Sequence, residues 1–158
     1  MNHTATFKFI VSSVPFTSLW QHDAQFDSWA AFEDEKAHLL SAIHTVPNVV
    51  ILSGDRHEFA AIEYNGPSLS SHTAYEFSTS PLSMFYIPFF RTLQAESKRM
   101  VEKLKKVNNG NETVFAKEWV PEEKVLKYLA SGNYKWCEES TCKNSLTNSP
   151  ESQVIIRC

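Results

Sequence analysis

Residues 48–57 of this 158-residue sequence are Asn-Val-Val-Ile-Leu-Ser-Gly-Asp-Arg-His, an apolar run that is followed by polar residues. Four consecutive apolar residues, 49–52, stand between a helical pattern and a glycine, which is typical of a strand buried inside a sheet. Polar residues follow directly at the carboxyl end of this strand. Because ligands gather outside the carboxyl ends of strands in open α/β sheets, the stretch predicts both a sheet centre and a candidate site.

The residues before this stretch predict a strand and then a helix. Residues 6–12 are rich in β-branched and aromatic side chains and are expected to form a strand. Residues 28–45 have helical spacing, with Asp27 or Ser28 as the cap and Pro47 as the stop. Five large side chains are expected on the buried face and four charged ones on the face toward water: Trp29, Phe32, Leu39, Leu40 and Ile43, against Glu33, Asp34, Glu35 and Lys36.

Further elements follow the central strand. Strands are expected at residues 58–64 and 74–77, helices at 91–107 and 121–130, a turn or exposed loop at 108–111 and a final strand at 154–156. A strand, a helix and a buried strand form a βαβ pattern, and the later strands indicate a mixed sheet. The predicted class is therefore α/β, with flanking helices. Residues 82–90 are strongly apolar and aromatic, so they should pack on the domain or leave an exposed apolar patch.

Composition excludes several classes of protein. The net charge is −3 and no basic block is longer than Lys105-Lys106, so nucleic-acid binding is not expected. No apolar run approaches the roughly 20 residues that span a bilayer. The first residues lack the basic start and apolar stretch of a signal peptide. A secretory location for a longer parent protein stays open, because residues 2–4 and 111–113 match the glycosylation pattern.

The three cysteines all lie near the C-terminus, at positions 137, 142 and 158. Cys137 and Cys142 form a small surface disulfide in an exported protein, or they stay free thiols. A zinc site is disfavoured because no CxxC or CxH spacing accompanies them.

Asp55 and His57 are the candidate metal ligands. Residues two apart in extended backbone project to the same side, so one carboxylate and one imidazole can converge on a cation. Gly54 removes a side chain where the backbone must turn or a ligand approaches. An oxygen and a nitrogen donor together suit Mn, Fe or Zn, and less clearly Ca. In the alternative interpretation, Asp55 is a turn residue and His57 an ordinary strand residue.

Four segments together resemble the PhoD-like alkaline phosphatases of the calcineurin-like metallophosphatase superfamily. In chain order they are KFIVSSVP at 8–15, DSW at 27–29, NVVILSGDRH at 48–57 and YEFSTS at 75–80. The most specific feature is Asp27-x-Trp29 together with the later Leu52-Ser-Gly-Asp-x-His57. The resemblance covers about residues 6–81. It divides the chain into the C-terminal part of a metallophosphatase domain at 1–81, an insertion with helices and a polar loop at 82–152, and a final strand of the same domain at 153–158.

The resemblance implies an α/β sandwich of two sheets, a multi-metal centre between them and hydrolysis of phosphate esters. Asp55 and His57 would occupy the last metal-binding motif, with the metal open among Fe, Ca, Mn and Zn. Arg56 would reach a phosphate oxygen or point to solvent, and Glu76 would at most support the ligands indirectly.

The metal ligands in this chain are too few for such a centre. Two-metal hydrolysis holds its cations about 3.5–4 Å apart, and Asp55 with His57 cannot complete two coordination spheres. The family's earlier ligands would come from strand ends upstream of residue 1. We therefore expect an incomplete sandwich that is inactive in isolation, acts on phosphate esters once completed, and self-associates through exposed edges. The alternative is a non-catalytic remnant that binds a partner through its sheet edge or residues 82–90.

Overall fold

The computed structural model describes residues 5–21, 26–55, 58–79, 93–109 and 112–129. In chain order the elements are β1 (Lys8–Ser12), a 3-10 helix (Trp29–Ala31), α1 (Glu33–Ile43), β2 (Val49–Ser53), β3 (Phe59–Tyr64), β4 (Ala74–Ser78), β5 (Met100–Asn109), β6 (Glu112–Pro121) and β7 (Glu123–Leu129). The predicted final strand, the apolar segment 82–90 and the three cysteines lie outside the described residues.

Five of the strands form one mixed sheet in the order β1-β2-β4-β3-β7. The first three in that order run parallel to one another, and β3 is antiparallel to both of its neighbours. β1, α1 and β2 make a βαβ unit, so the α/β prediction and the mixed sheet are confirmed. The register aligns Ser12 with Ser53 and Ser53 with Ser78, which brings three carboxyl ends to one edge of the sheet.

One face of the sheet carries the hydrophobic core. Alternate residues of each strand point to this face, where α1 and the segment 15–20 cover them. The most fully buried large side chains include Phe16, Leu19, Trp20, Ile51, Ile62 and Tyr64. Leu40 and Ile43 of α1 pack into the same cluster, as the sequence predicted.

The opposite face of the sheet is apolar but exposed. We call it the open face and define it by Phe9, Val11, Leu52, Tyr75 and Phe77. The register places Val11, Leu52 and Phe77 side by side across three strands. Val11 is 79% exposed and Phe9 is 62% exposed. Parallel strands are ordinarily covered on both faces, whereas this face is exposed in the part of the chain that the structure describes.

The helix differs from its prediction in three respects. It begins at Glu33 instead of 28, and Ser28 caps the short 3-10 helix by accepting a hydrogen bond from the amide of Ala30. Phe32 is 59% exposed, so its predicted burial is wrong. It lies at the junction of the two helices with φ −126° and ψ 57°, outside helical backbone. Lys36 was predicted to face water. It is buried, on the same side of α1 as Leu40 and Ile43.

The two later helices predicted from the sequence are wrong. Residues 100–109 and 112–121 form a two-stranded antiparallel sheet, and residues 123–129 join the main sheet beside β3. The spacing of Leu104 and Val107 also fits one side of a helix, but pairing with β6 fixes their backbone as a strand. Residues 110 and 111, at the predicted turn, lie outside the described part of the chain. Within the described ranges no helix is long and apolar enough to cross a membrane.

Candidate functional site

Asp55 lies just beyond the carboxyl end of β2, the strand between β1 and β4. Its side chain is exposed, and its backbone has φ 79°, in the left-handed region. Such a conformation costs a non-glycine residue on the order of 1–3 kcal/mol and persists only where neighbouring structure enforces it. Strain of this kind concentrates at ligand-binding turns. Asp55 therefore presents an exposed carboxylate at the edge where ligands of α/β sheets gather.

The partners predicted for Asp55 lie outside the described residues. These are His57, the second candidate metal ligand, and Arg56, the candidate phosphate contact. The geometry of the Asp55–His57 pair therefore stays a prediction. Among the residues with described positions, no three His, Cys, Asp or Glu side chains group closely enough to hold a metal ion. One exposed carboxylate fits a single ligand position on an oxygen-preferring cation, and it does not complete a coordination sphere.

Histidines elsewhere in the described part of the chain do not extend this site. His38 and His72 are exposed, one on α1 and one in the loop before β4. His44 is buried at the end of α1, with Nδ1 2.6 Å from the carbonyl oxygen of His72. Burial lowers the pKa of His44, and the hydrogen bond to His72 opposes this shift. Its Nε2 is buried without a hydrogen-bond partner among the described residues.

The turn that carries Asp55 is anchored through Ser53. The Ser53 hydroxyl donates a hydrogen bond of 2.6 Å to Oε1 of Glu76 on β4. The Ser53 carbonyl accepts 2.8 Å and 3.3 Å hydrogen bonds from the amide and hydroxyl of Thr79. Gly54 passes close to the residue that follows β1, since a Cβ added there would lie 3.4 Å from the carbonyl oxygen of Ser13. Both neighbouring strands therefore constrain the end of β2.

Glu76 is a carboxylate with 0% exposure at the centre of the sheet. Besides Ser53, it accepts a 2.8 Å hydrogen bond from the amide of Phe16, and its Oε2 accepts one from the Tyr64 hydroxyl. Burial raises the pKa of Glu76 above its ordinary value, although these hydrogen bonds and the nearby Lys36 oppose the shift. The sequence suggested indirect support from Glu76, and the structure brings it to Ser53, two residues before Asp55.

A second buried carboxylate, Glu123, holds β7 against α1. Its Oε1 lies 2.5 Å from Nζ of Lys36, and its Oε2 accepts hydrogen bonds from the Thr17 hydroxyl at 2.6 Å and the Ser18 amide at 2.9 Å. Lys36 Nζ also lies 5.5 Å from the centre of the Phe16 ring. Sequence reasoning missed this cluster, although the spacing of Lys36 with Leu40 and Ile43 places all three on the core side of the helix.

An open cleft of about 450 Å³ lies beside the edge strand β1. Residues 10–14, the segment 26–29 and the outer side of α1 line it. Ser12 and Ser13 belong to this lining and also to the sheet edge at which Asp55 lies. The Ser12 hydroxyl accepts a 3.0 Å hydrogen bond from the Trp29 indole, which fastens the Asp27-x-Trp29 motif to β1.

Comparison with known protein families gives a match over most of the chain. The family model for PhoD-like phosphatase matches residues 1–120. The match runs past residue 81 through β5 and most of β6, so the likeness to the family extends further than residues 6–81. No curated protein and no solved structure matches the chain at a significant level.

Proposed function

Because the chain belongs to the PhoD-like phosphatase family, we propose that it is part of a metal-dependent phosphoesterase that hydrolyses phosphate esters. The observation that carries the proposal is the position of Asp55, exposed and in left-handed backbone at the carboxyl end of a central parallel strand. Asp55 and His57 are the proposed ligands of one metal ion, and Arg56 the proposed contact of a phosphate oxygen. Fe, Ca, Mn and Zn are the candidate metals; when bound, such an ion activates water and stabilises charge on the phosphate.

We further propose that this chain is the C-terminal portion of a calcineurin-like α/β sandwich. The open face supports this, because five large apolar side chains on parallel strands need a covering layer. A second sheet from an upstream portion of the protein is the proposed cover. That upstream portion also carries the remaining metal ligands, so the chain alone has no significant phosphatase activity.

Phosphatase assays on two proteins test this proposal. The 158-residue chain is expected to leave p-nitrophenyl phosphate and bis-p-nitrophenyl phosphate intact when Mn, Fe, Zn or Ca is supplied in turn. A longer protein that includes the upstream coding sequence should hydrolyse one of these esters, and His57→Ala should abolish most of that turnover. His38→Ala, on the exposed side of α1, is the matched control and should leave turnover unchanged. Metal-dependent turnover by the short chain that disappears in His57→Ala contradicts the proposed incompleteness.

A second candidate function is a non-catalytic binding module, and the open face favours it too. In this case a partner protein, instead of a second sheet of the same chain, covers Phe9, Val11 and Phe77. The two candidates differ in what precedes the chain. In-frame Asp- and Asn-containing strand ends in the upstream coding sequence support the phosphoesterase, and a stop directly before Met1 supports the binding module.

A further inference from the structure

We propose that the free edge of β1 binds a second copy of this chain, and that the two β1 strands pair antiparallel to join two sheets into one. The inference does not depend on the proposed phosphoesterase function, because it uses neither Asp55 nor a bound metal. Its evidence is an uncovered strand edge, a backbone pattern that complements itself, and an acidic cleft beside that edge.

The two outer strands of the sheet differ in how their edges are covered. On β7, the amide of Val125 donates a 2.8 Å hydrogen bond to the carbonyl of Ala95, and the carbonyl of Glu123 accepts a 2.9 Å hydrogen bond from the amide of Ser97. The segment 95–97 therefore shields this edge. β1 pairs with β2 on one side, and no segment within the described ranges pairs with its other side. Because sheets ordinarily protect their edges, β1 is the position at which a further strand can add.

The backbone groups on the free edge of β1 are complementary to those of a second β1. The amide of Lys8 donates a 3.0 Å hydrogen bond to Asn48, directly before β2. Since backbone groups alternate in direction along a strand, Ile10 also faces β2, and the N–H and C=O groups of Phe9 and Val11 face outward. An antiparallel β1 with Ile10 opposite Ile10 pairs Phe9 of each copy with Val11 of the other. Such pairs exchange both N–H···O bonds, so every one of these outward groups gains a partner.

The side chains on the open face agree with the same register. Phe9 and Val11 are largely exposed in the single chain. In the paired strands, Phe9 of one copy lies directly opposite Val11 of the other, on the same face of the joined sheet. Cross-strand pairs of an aromatic and a β-branched side chain stabilise a sheet. The pairing therefore buries apolar surface and satisfies the backbone at the same positions.

The acidic cleft beside β1 receives Lys8 of the second copy. In this register Lys8 lies opposite Ser12, which lines the cleft together with Asp27 and Glu35. Both carboxylates are exposed, and the first turn of α1 is acidic. Nζ of Lys8 donates to two backbone carbonyls and has no carboxylate partner among the described residues. A two-fold axis repeats the contact, and two-fold pairs are the commonest homo-oligomers. Charge complementarity thus favours this chain itself as the occupant.

Amide hydrogen exchange, followed by NMR at low and high protein concentration, tests the pairing directly. The chain carries Phe77→Lys throughout, so that association through the open face does not contribute. The amides of Phe9 and Val11 should exchange more slowly at high concentration, whereas the amide of Ile10, which faces β2, should be protected at both. Sedimentation should show a dimer under the same high-concentration conditions. A dimer in which Phe9 and Val11 exchange fast overturns the inference, as does a monomer at every concentration.

A pair of variants separates the backbone from the side chain. Val11→Pro removes one outward N–H from each strand and leaves the pairing with β2, because proline is tolerated where the N–H of an edge strand faces outward. It should raise the dissociation constant of the dimer about 10-fold, since each dimer loses two hydrogen bonds. Val11→Thr keeps the N–H and a β-branched side chain, and should change the constant less than about 3-fold. Equal weakening by both variants overturns the inference.

A charge reversal provides a second test where Val11→Pro does not fold. Lys8→Glu places a carboxylate against the acidic cleft of the other copy, and the two-fold axis doubles the effect. Like charges at an interface weaken association, so the dissociation constant of the dimer should rise. Adding Glu35→Lys to Lys8→Glu should recover part of the loss. A dissociation constant that Lys8→Glu leaves unchanged overturns the inference.

Discussion

Lys36 of α1 and Glu123 of β7 form an ion pair inside the protein, with Nζ and Oε1 2.5 Å apart across 87 residues of sequence. Removing one member of a buried pair leaves an unpaired charge in the interior, so Lys36→Met should lower the free energy of unfolding by about 3–5 kcal/mol. Urea unfolding measures the change. Lys117→Met breaks the exposed pair with Glu102 and should cost less than about 0.5 kcal/mol. Similar losses in the two variants would contradict the central role given to the buried pair.

The stability of the protein should fall in mild acid because of His44. Burial lowers the pKa of His44 below its ordinary value of 6.5, so the unfolded chain binds more protons than the folded protein near that pH. The contribution of His44 is therefore present above about pH 6.5 and is lost as the pH falls through the folded pKa. Unfolding measured between pH 7.5 and 5 should show a flatter profile in His44→Gln than in the exposed control His38→Gln. Identical slopes in the two variants would rule out His44 as the source.

Because Asp55 has left-handed backbone, replacing it by glycine and by alanine should change the stability of the protein in opposite directions. Glycine adopts positive φ without a steric penalty and alanine does not. We expect Asp55→Gly to raise the free energy of unfolding by up to about 1 kcal/mol and Asp55→Ala to lower it. Both variants also remove the carboxylate that is proposed as a metal ligand. Thermal unfolding checks the order Gly, Asp, Ala, and a reversed order would show that the turn is not strained.

The open face should cause the isolated chain to self-associate. Phe77→Lys places a charge on this face and should raise the monomer fraction in analytical ultracentrifugation at high concentration, because exposed apolar patches drive association. Phe32→Lys is the matched control, since Phe32 is also exposed but lies at the start of α1, outside the residues that define the open face. A monomer in every variant and in the unsubstituted chain would show that the open face does not bind itself.

Local patterns in the sequence were sufficient for the first half of the fold. The strands β1 to β4, the helix α1 and the parallel βαβ unit all follow from alternation, helical spacing and turn residues. Distant partners explain the failures. Residues 100–109 form a strand because β6 pairs with them, and Lys36 is buried because Glu123, far along the chain, neutralises it.

The sequence likewise predicts one part of the candidate site and not the rest. The order of elements predicts that Asp55 follows a central strand at its carboxyl end. Its left-handed backbone and the contact between Ser53 and Glu76 were not predictable, because they depend on the register between β2 and β4. His57 and Arg56 stay predictions.

β7 has a consequence for the order in which the protein can fold during synthesis. Its partner β3 is complete by residue 64, yet the chain must extend to residue 129 before the β3 edge is paired. Until then Lys36 lacks Glu123, its ion-pair partner, and the edge of β3 is unprotected, which is a template for association with other chains. Closing so long a loop is slow compared with forming local contacts. A chain released before residue 123 should therefore associate with other chains more readily than a chain that contains β7.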